Sequence, residues 1–471
     1  MNWNLYKISY NKNLSLRRKR TMHKTVVIDI VGLSTSLIGE HTSFLKNYAA
    51  KKGLKTVAPM LPAVTTSVQS TYITGKWPGE HGIVGNGWYD RTDCEIKFWK
   101  QSNKLVQGEK IWERAKKLDP SFTAAKMFWW YNMYSSAEYS VTPRPNYLAD
   151  GRKMPDCYSE PASLRDELQK ELGQFPLFKF WGPGADITST QWIADASVYT
   201  DKKYDPTLTL IYLPHLDYGL QKYGQDLTAI SKDLGEIDKV VEQLVTHYEA
   251  KGARIILLSE YGITNVNRPI HINRLLRQND LLGIRIERGL ELLDAGASKA
   301  FAVADHQVAH IYLNDPSVAT NVRQLVEGLP GVALVLDRET QKQYHIDHER
   351  AGDLVVVADQ NSWFTYYFWF DDDKAPDYAR VVDIHKKPGY DPVELFMTSK
   401  ARAAYKLLRK KAGFRYVMDV IPLDATLVKG SHGSLVADKT FHPVLMADLP
   451  VTKNDLVATD VYDIIWQHIT T

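Results

Sequence analysis

The chain has 471 residues, 44% of them hydrophobic and 24% charged, a composition typical of a globular protein that buries a large core. Its formal net charge of +3 gives no indication of a nucleic-acid or membrane partner, and no stretch reaches the roughly 20 apolar residues of a membrane span. Two cysteines, Cys94 and Cys157, provide no disulfide framework, which favours a reducing, cytoplasmic setting.

Residues 1–23 are predicted to be a disordered leader. They contain a basic run from Arg17 to Arg20 and lack the apolar segment of a secretory signal. Met22 stands just before the first apolar segment. Met1 and Met22 are therefore both candidate start residues.

Residues 24–33 form a continuous, mostly β-branched run that ends in a glycine-bearing turn, and this pattern predicts a central buried strand. Asp29 is the one charged side chain inside the run. A buried carboxylate is unfavourable unless it is paired or bound to a metal. Asp29 is therefore a candidate functional residue.

Residues 61–75 predict a hydroxyl-rich loop that passes into a short helix ending at Gly75. Thr65, Thr66 and Ser67 stand at its start. The free N–H groups and the dipole of a helix N-terminus favour an anion, so a nucleophile that attacks phosphorus is well placed there. The same three residues in isolation are more often simple helix caps, and at this point both interpretations stay open.

Residues 207–214 and 253–259 predict two further buried strands, separated by an amphipathic helix with apolar positions from Leu227 to Tyr248. Asp217 follows the first of these strands and Glu260 the second. Strands that alternate with helices form parallel sheets, and their carboxyl ends meet at one edge. We therefore expect these two carboxylates to lie near Asp29 and the threonine-rich helix.

The pattern changes between residues 273 and 429, where short strands and one helix predict a smaller inserted α+β unit of the kind that caps an active site. Residues 24–272 and 430–471 are expected to form the catalytic core. The predicted fold class is α/β, with a mostly parallel sheet sandwiched by helices. His432, in Ser431-His432-Gly433, marks the return to the core.

The polar residues at the strand ends combine hard carboxylate oxygens, an imidazole and a hydroxyl. This is the ligand set of a divalent cation that also activates an alcohol. Each residue alone is more often a cap or a hydrogen-bonding group than a ligand.

The order of these residues resembles the alkaline phosphatase superfamily, within it the nucleotide pyrophosphatase/phosphodiesterase and phosphonoacetate hydrolase branch. The resemblance covers about residues 24–262 and 430–448, and its most specific part runs from Thr65 through Thr74-Gly75 to Glu80-His81-Gly82-Ile83. It implies an alkaline-phosphatase-like fold with Thr65 as nucleophile and metal ligand. The other implied metal positions are Asp29, Asp217, Gln221, Glu260, Tyr261 and His432.

The chain departs from the family pattern at several of these positions. Val31 stands where the family carries an aspartate before glycine, and Gln221 and Tyr261 stand where it carries histidines. Such a site has harder ligand atoms and a lower affinity for zinc. We therefore expect one of three outcomes: the site binds a single ion, it prefers Mg²⁺, Mn²⁺ or Ca²⁺, or it recruits other histidines. The candidates for recruitment are His271, Asp305 with His306, His310, and Asp383 with His385.

The resemblance implies a hydrolase of phosphate esters, foremost of phosphodiester or pyrophosphate bonds, that forms a phospho-enzyme on Thr65. Thr66 and Gln69 are the expected substrate-binding residues, and Trp88 and Trp99 are candidates for the leaving-group pocket. The expected cofactor is one or two divalent ions, Zn²⁺ or alternatively Mg²⁺, Mn²⁺ or Ca²⁺, and the expected partner is a small phosphorylated molecule. The alternatives are a pseudoenzyme of the same fold that binds an anion without turnover, and a phosphonate or phosphomonoester hydrolase.

Overall fold

An eight-stranded mixed sheet forms the centre of the protein. The computed structural model describes residues 22–150, 152–414 and 416–471, so nearly all of the predicted leader at 1–23 lies outside the described residues. In spatial order the strands are Lys55–Thr56, Val444–Ala447, Arg254–Leu258, Thr25–Ile30, Leu208–Leu213, Ala124–Met127, Tyr139–Pro143 and Cys157–Glu160. The five central strands pair in parallel, and the strands flanking them pair antiparallel.

Helices cover both faces of this sheet, because alternate side chains of its buried strands point to opposite sides. Val26 belongs to one hydrophobic cluster and Val27 to another. The helices that pack on the Val26 side include Ser43–Lys52, Ala162–Leu172, Ile187–Tyr204, His215–Tyr223 and Ser231–Ala250. Three pack on the Val27 side: Thr65–Thr74, Ile111–Leu118 and Asp460–Thr470. The predicted α/β architecture is confirmed.

A second, four-stranded sheet lies within the segment predicted to be an insertion. Its antiparallel strands are, in order, Ala300–Asp305, Val308–Leu313, Leu354–Ala358 and Val332–Leu336. The division of the chain at residues 272 and 430 stays a prediction.

The remaining elements are short. Two-stranded sheets pair Gly87–Asp90 with Glu95–Phe98, Asn146–Tyr147 with Lys153–Met154, Thr264–Asn265 with Gly430–Ser431, Arg268–Ile270 with Ser362–Phe364, and Gly283–Glu287 with Leu290–Asp294. The further α-helices are Pro78–His81, Leu177–Phe180, Ile272–Gln278, Ala319–Glu327, Arg338–Gln341 and Lys400–Lys411.

The structure differs from the expected elements at two places. Tyr139–Pro143 and Cys157–Glu160 extend the central sheet, although the segment from residue 134 to 161, rich in proline, tyrosine and serine, predicts irregular structure. These strands are too short for a periodic pattern, and prolines border them, which hides them in the sequence. The aromatic run at 363–369 predicts a strand, but strand pairing in this part of the structure covers only Ser362–Phe364.

Within the described residues, no helix combines the length and the apolar character that crossing a membrane requires. Cys94 is free and exposed, and Cys157 is free and buried. The cytoplasmic location stays a prediction.

Candidate active site

Thr65 is the first residue of the buried helix Thr65–Thr74, which we call the nucleophile helix. Val64 precedes it in an extended conformation, and Gly75 ends it with a φ of 66°, a left-handed conformation that glycine adopts without strain. The hydroxyl of Thr66 is engaged in the scaffold, since it donates to the carbonyl of Gly85 at 2.9 Å. Thr65 is therefore the threonine at this helix start whose hydroxyl faces the polar cluster.

A chain of hydrogen bonds leads from the Thr65 hydroxyl to Asp217. Thr65 Oγ1 lies 3.1 Å from the Tyr261 phenol oxygen, and Tyr261 donates to Asp217 Oδ1 at 3.4 Å. An ionised carboxylate only accepts, so the phenol proton points to Asp217 and the Thr65 proton to the phenol oxygen. The second oxygen of Asp217 accepts from Gln221 Nε2 at 2.7 Å, and Gln221 Oε1 accepts from Tyr390 at 3.0 Å.

Four rings stack beside this chain of hydrogen bonds. The ring of Tyr261 lies 3.5 Å from that of His432, His432 lies 3.8 Å from His306, and His306 lies 3.6 Å from Tyr390. His432 Nδ1 donates to the carbonyl of Ala63 at 2.7 Å, which leaves the lone pair on Nε2. This Nε2 is buried, has no hydrogen-bond partner among the residues that the structure describes, and lies 3.9 Å from Asp217 Oδ1.

Of the histidines considered for recruitment, His306 joins the site. Its Nδ1 contacts Asp305 Oδ1 at 2.8 Å, and Asp305 in turn accepts from the backbone and side chain of Asn86. The other three are bonded elsewhere: His271 to the Thr365 hydroxyl, His310 to the Val84 carbonyl and His385 to the Phe98 carbonyl.

Asp29 and Glu260 form a buried carboxyl pair on the other side of Thr65. Gln69 Nε2 lies 3.4 Å from Asp29 Oδ2 and 2.5 Å from Glu260 Oε1, while Gln69 Oε1 accepts from the Trp130 amide. Asp29 Oδ1 and Glu260 Oε2 are buried and have no hydrogen-bond partner within residues 22–150, 152–414 and 416–471. In the described part of the chain, neither carboxyl forms an ion pair with lysine or arginine.

Burial raises the pKa of all three carboxyls of the site. The pKa of Asp29 is raised by burial and then by the charge of Glu260, and that of Glu260 is raised by burial. Burial, followed by the charge of Glu260, raises the pKa of Asp217 to about 7, against the effect of the hydrogen bonds from Gln221 and Tyr261. The site therefore concentrates acidic groups that lack a positive counter-charge.

The unpaired oxygens of Asp29 and Glu260 are acceptors that a divalent cation can use as ligands. Two desolvated carboxylates without a cationic partner are strongly unfavourable, and a bound ion relieves that cost. Asp217 has fewer free lone pairs for an ion, because each of its oxygens already accepts a hydrogen bond. Oxygen donors alone suit Mg²⁺ or Mn²⁺ better than Zn²⁺.

The structure brings eight of the nine predicted site residues together at one edge of the central sheet: Asp29, Thr65, Gln69, Asp217, Gln221, Glu260, Tyr261 and His432. The ninth, Thr66, follows Thr65 in the helix, but its hydroxyl donates to the Gly85 carbonyl and does not join this network. Sequence reasoning missed Tyr390 and Asn86. Asn86 lies between Gly85 and Gly87 directly after the His-Gly-Ile segment, which is a weak turn signal, whereas Tyr390 has no local signal. Trp88 lines a cleft of about 420 Å³, and Trp99 packs on Trp130.

The parallel sheet, the buried threonine at a helix start and the strand-end carboxylates together define an alkaline-phosphatase-like hydrolase. The chain belongs to the type I phosphodiesterase/nucleotide pyrophosphatase family, whose profile matches residues 25–391. This confirms the family and the hydrolase class that the sequence motifs predict.

One relative is ectonucleotide pyrophosphatase/phosphodiesterase 2 of Saccharomyces cerevisiae, 24% identical over 381 residues, which cover 76% of this chain and 68% of that protein. Alignments with three further curated relatives span only 40%, 30% and 39% of their lengths.

Solved structures share the fold across nearly the whole chain. The inactive murine ectonucleotide pyrophosphatase/phosphodiesterase 5, a threonine-to-alanine variant in complex with AMP, has a TM-score of 0.56 at 15% identity and covers 95% of this chain and 94% of that one. Phosphonoacetate hydrolase from Sinorhizobium meliloti 1021, in complex with phosphonoformate, has a TM-score of 0.58 at 15% identity and covers 96% of both chains.

Proposed function

We propose that this protein hydrolyses phosphodiester or pyrophosphate bonds of small phosphorylated molecules, with Thr65 as the nucleophile. The observation that carries this proposal is the position of the Thr65 hydroxyl, at the start of a buried helix and 3.1 Å from a phenol that leads to a carboxylate. The inactive threonine variant of the AMP-bound neighbour supports it.

The hydrogen bonds define a route for the Thr65 proton. Thr65 Oγ1 passes its proton to the Tyr261 oxygen as Tyr261 passes its own proton to Asp217. The alkoxide then attacks phosphorus, the bond to the leaving group breaks, and the leaving group departs with the electron pair and takes up a proton from solvent. Asp217 is suited to the role of base, because a pKa of about 7 lies close to neutral pH.

The second step reverses this route. Water attacks the phosphothreonine and releases one proton to solvent, the bond from phosphorus to Thr65 Oγ1 breaks, and the proton held by Asp217 returns through Tyr261 to the threonine. Two in-line displacements give overall retention at phosphorus. Tyr261 thus supplies a proton path at the position where the family pattern has a histidine.

Asp29 and Glu260 are the residues that would hold a divalent cation, and Gln69 orients both carboxyl groups. Such an ion supplies Lewis-acid stabilisation of the charge on the phosphoryl oxygens. One Mg²⁺ or Mn²⁺ is the expected complement, since each oxygen of Asp217 already accepts one hydrogen bond, from Gln221 or Tyr261.

The test is turnover of bis(p-nitrophenyl) phosphate and of a dinucleotide pyrophosphate in the presence of Mg²⁺ or Mn²⁺. Thr65→Ala is expected to abolish turnover and the labelled phosphothreonine trapped by acid quench. The matched control is Thr74→Ala, which removes a hydroxyl from the far end of the same helix, where it donates to the Ser70 carbonyl. Turnover by Thr65→Ala at the wild-type rate would refute the nucleophile assignment.

A second candidate function is binding of an anionic ligand without turnover. It is favoured by the closure of the site, since Thr65, Tyr261, Asp217 and Gln221 are all buried and bond to one another. On this hypothesis the wild-type protein binds AMP or inorganic phosphate in calorimetry but turns over no ester with any divalent ion.

A further inference from the structure

A second group of metal-binding side chains lies outside the active site, between two consecutive helices. His215 begins the helix His215–Tyr223, and Asp233 and Glu236 lie in the first turns of Ser231–Ala250. His215 Nε2 lies 3.7 Å from Asp233 Oδ1 and 3.5 Å from Glu236 Oε2. One ligand atom from each residue lies within 4.8 Å of the other two.

The imidazole of His215 lacks the partners that a buried ring normally has. The residue is 2% exposed, and neither ring nitrogen has a hydrogen-bond partner among the described residues. The ring faces two carboxylates at separations longer than an ordinary hydrogen bond, and this leaves a gap between three ligand atoms.

The size of this gap fits a divalent transition-metal ion. Nitrogen and oxygen ligands lie about 2.0–2.2 Å from Zn²⁺, which places neighbouring ligands of a tetrahedron about 3.3–3.6 Å apart. The separation of 3.5 Å lies within this range, and the separation of 3.7 Å lies just above it. The carboxylate side chains are 25% and 27% exposed, so an ion has access from solvent and water can complete its coordination.

The neighbouring residues shape the same gap. A Cβ on Gly219 would lie 2.2 Å from Asp233 Oδ2, so glycine at this helical position allows the carboxylate to pack over the helix. Two lysines lie at the edge of the group. Lys232 Nζ is 3.5 Å from Glu236 Oε1, and its side chain is 80% exposed. Lys222 is near enough to Asp233 for the charge of that carboxylate to act on the pKa of Lys222 in the raising direction.

We propose that His215, Asp233 and Glu236 form a divalent-cation site that is separate from the Asp29–Glu260 pair and takes Zn²⁺ or Mn²⁺. One imidazole and two carboxylates are the donors that these borderline ions accept. The ion joins two helices across the connection at residues 224–230. Asp217 lies two residues after His215 in the same helix, so the ion also anchors the turn that carries this carboxylate.

Zinc binding by the chelator-treated full chain tests this site. Isothermal titration with Zn²⁺ and the shift of the unfolding midpoint with Zn²⁺ are measured for the wild type, Glu236→Gln and His215→Ala. The matched control is Glu242→Gln, an exposed carboxylate on the same helix. We expect each site variant to lose one bound Zn²⁺, or to bind it at least tenfold more weakly, and to lose part of the midpoint shift.

Two further variants separate this site from the active site and from general effects on folding. Asp29→Asn is expected to leave Zn²⁺ binding at His215 unchanged, so the result stands whether or not the proposed hydrolase activity is correct. Gly219→Ala keeps all three ligands but displaces Asp233, and it is expected to weaken Zn²⁺ binding. Equal zinc stoichiometry and affinity in the wild type, Glu236→Gln and His215→Ala would overturn the proposal.

Discussion

Replacing Tyr261 with phenylalanine tests the proposed proton path most directly. The substitution removes one oxygen and keeps the ring, whose stacking on His432 at 3.5 Å is independent of the hydroxyl. It breaks the contact of 3.1 Å with Thr65 and the contact of 3.4 Å with Asp217. We therefore expect a loss of activity that is much larger than the loss of stability.

The two losses are of different size. Each hydrogen bond of this kind contributes about 0.5–1.5 kcal/mol to stability, so Tyr261→Phe is expected to lower the free energy of unfolding by about 1–3 kcal/mol. Loss of general-base catalysis lowers kcat by about 10²–10⁴-fold. That factor corresponds to about 3–5 kcal/mol of transition-state stabilisation.

The assay is steady-state hydrolysis of bis(p-nitrophenyl) phosphate between pH 5 and 9, with urea unfolding of the same preparations. In the wild type, kcat/KM should rise with pH until Asp217, with a pKa of about 7, is deprotonated, and then level off. In Tyr261→Phe this rise should disappear. A variant with kcat within threefold of the wild type and an unchanged pH profile would refute the proton path through Tyr261.

Three other predictions concern stability and metal content. Burial lowers the pKa of His310 to about 4, so the free energy of unfolding falls as the pH drops from about 6.5 towards 4. The upper limit of this loss of stability is about 3 kcal/mol. Urea unfolding at pH 7 and pH 5 should show a smaller loss of stability in His310→Gln than in the wild type. Gly262→Ala places a Cβ 1.8 Å from the carbonyl oxygen of Phe441 and should cost at least about 1–3 kcal/mol, whereas Gly39→Ala, which meets nothing within 4 Å, should change little. Gln221→His adds an imidazole beside Asp217 and His432 and should raise the zinc content measured by mass spectrometry; an unchanged content would show that this position does not limit metal binding.

Much of the candidate site could be predicted because its residues stand next to strong local signals. Asp29 is the charge within a β-branched run, Asp217 and Glu260 follow buried strands, and Thr65 starts a helix that ends in glycine. Parallel topology then requires that strand ends meet at one edge. Histidine recruitment could be posed from the sequence only as a choice among several candidates, and tertiary packing selects His306 by stacking it between His432 and Tyr390.

The roles of Gln221 and Tyr261, which stand where the family pattern has histidines, could not be predicted from the residues next to them in the sequence. Gln221 and Tyr261 read in the sequence as poor metal ligands, but in the structure both donate to Asp217, and Tyr261 also contacts Thr65. A hydrogen bond depends on distance and direction between side chains that are 44 or 196 positions apart. Such geometry is a property of the packed core rather than of either segment.

The sequence by itself determined the α/β class, three of the five parallel strands and the family, because long buried strands, amphipathic helices and helix ends are encoded in residues that are neighbours along the chain. Only the tertiary structure decided that Asp29 and Glu260 share Gln69, that Tyr390 closes on Gln221, and that His215 faces Asp233 and Glu236. These contacts arise where separate elements pack against each other, and their partners are chosen by shape and burial, which no periodic pattern along the chain records.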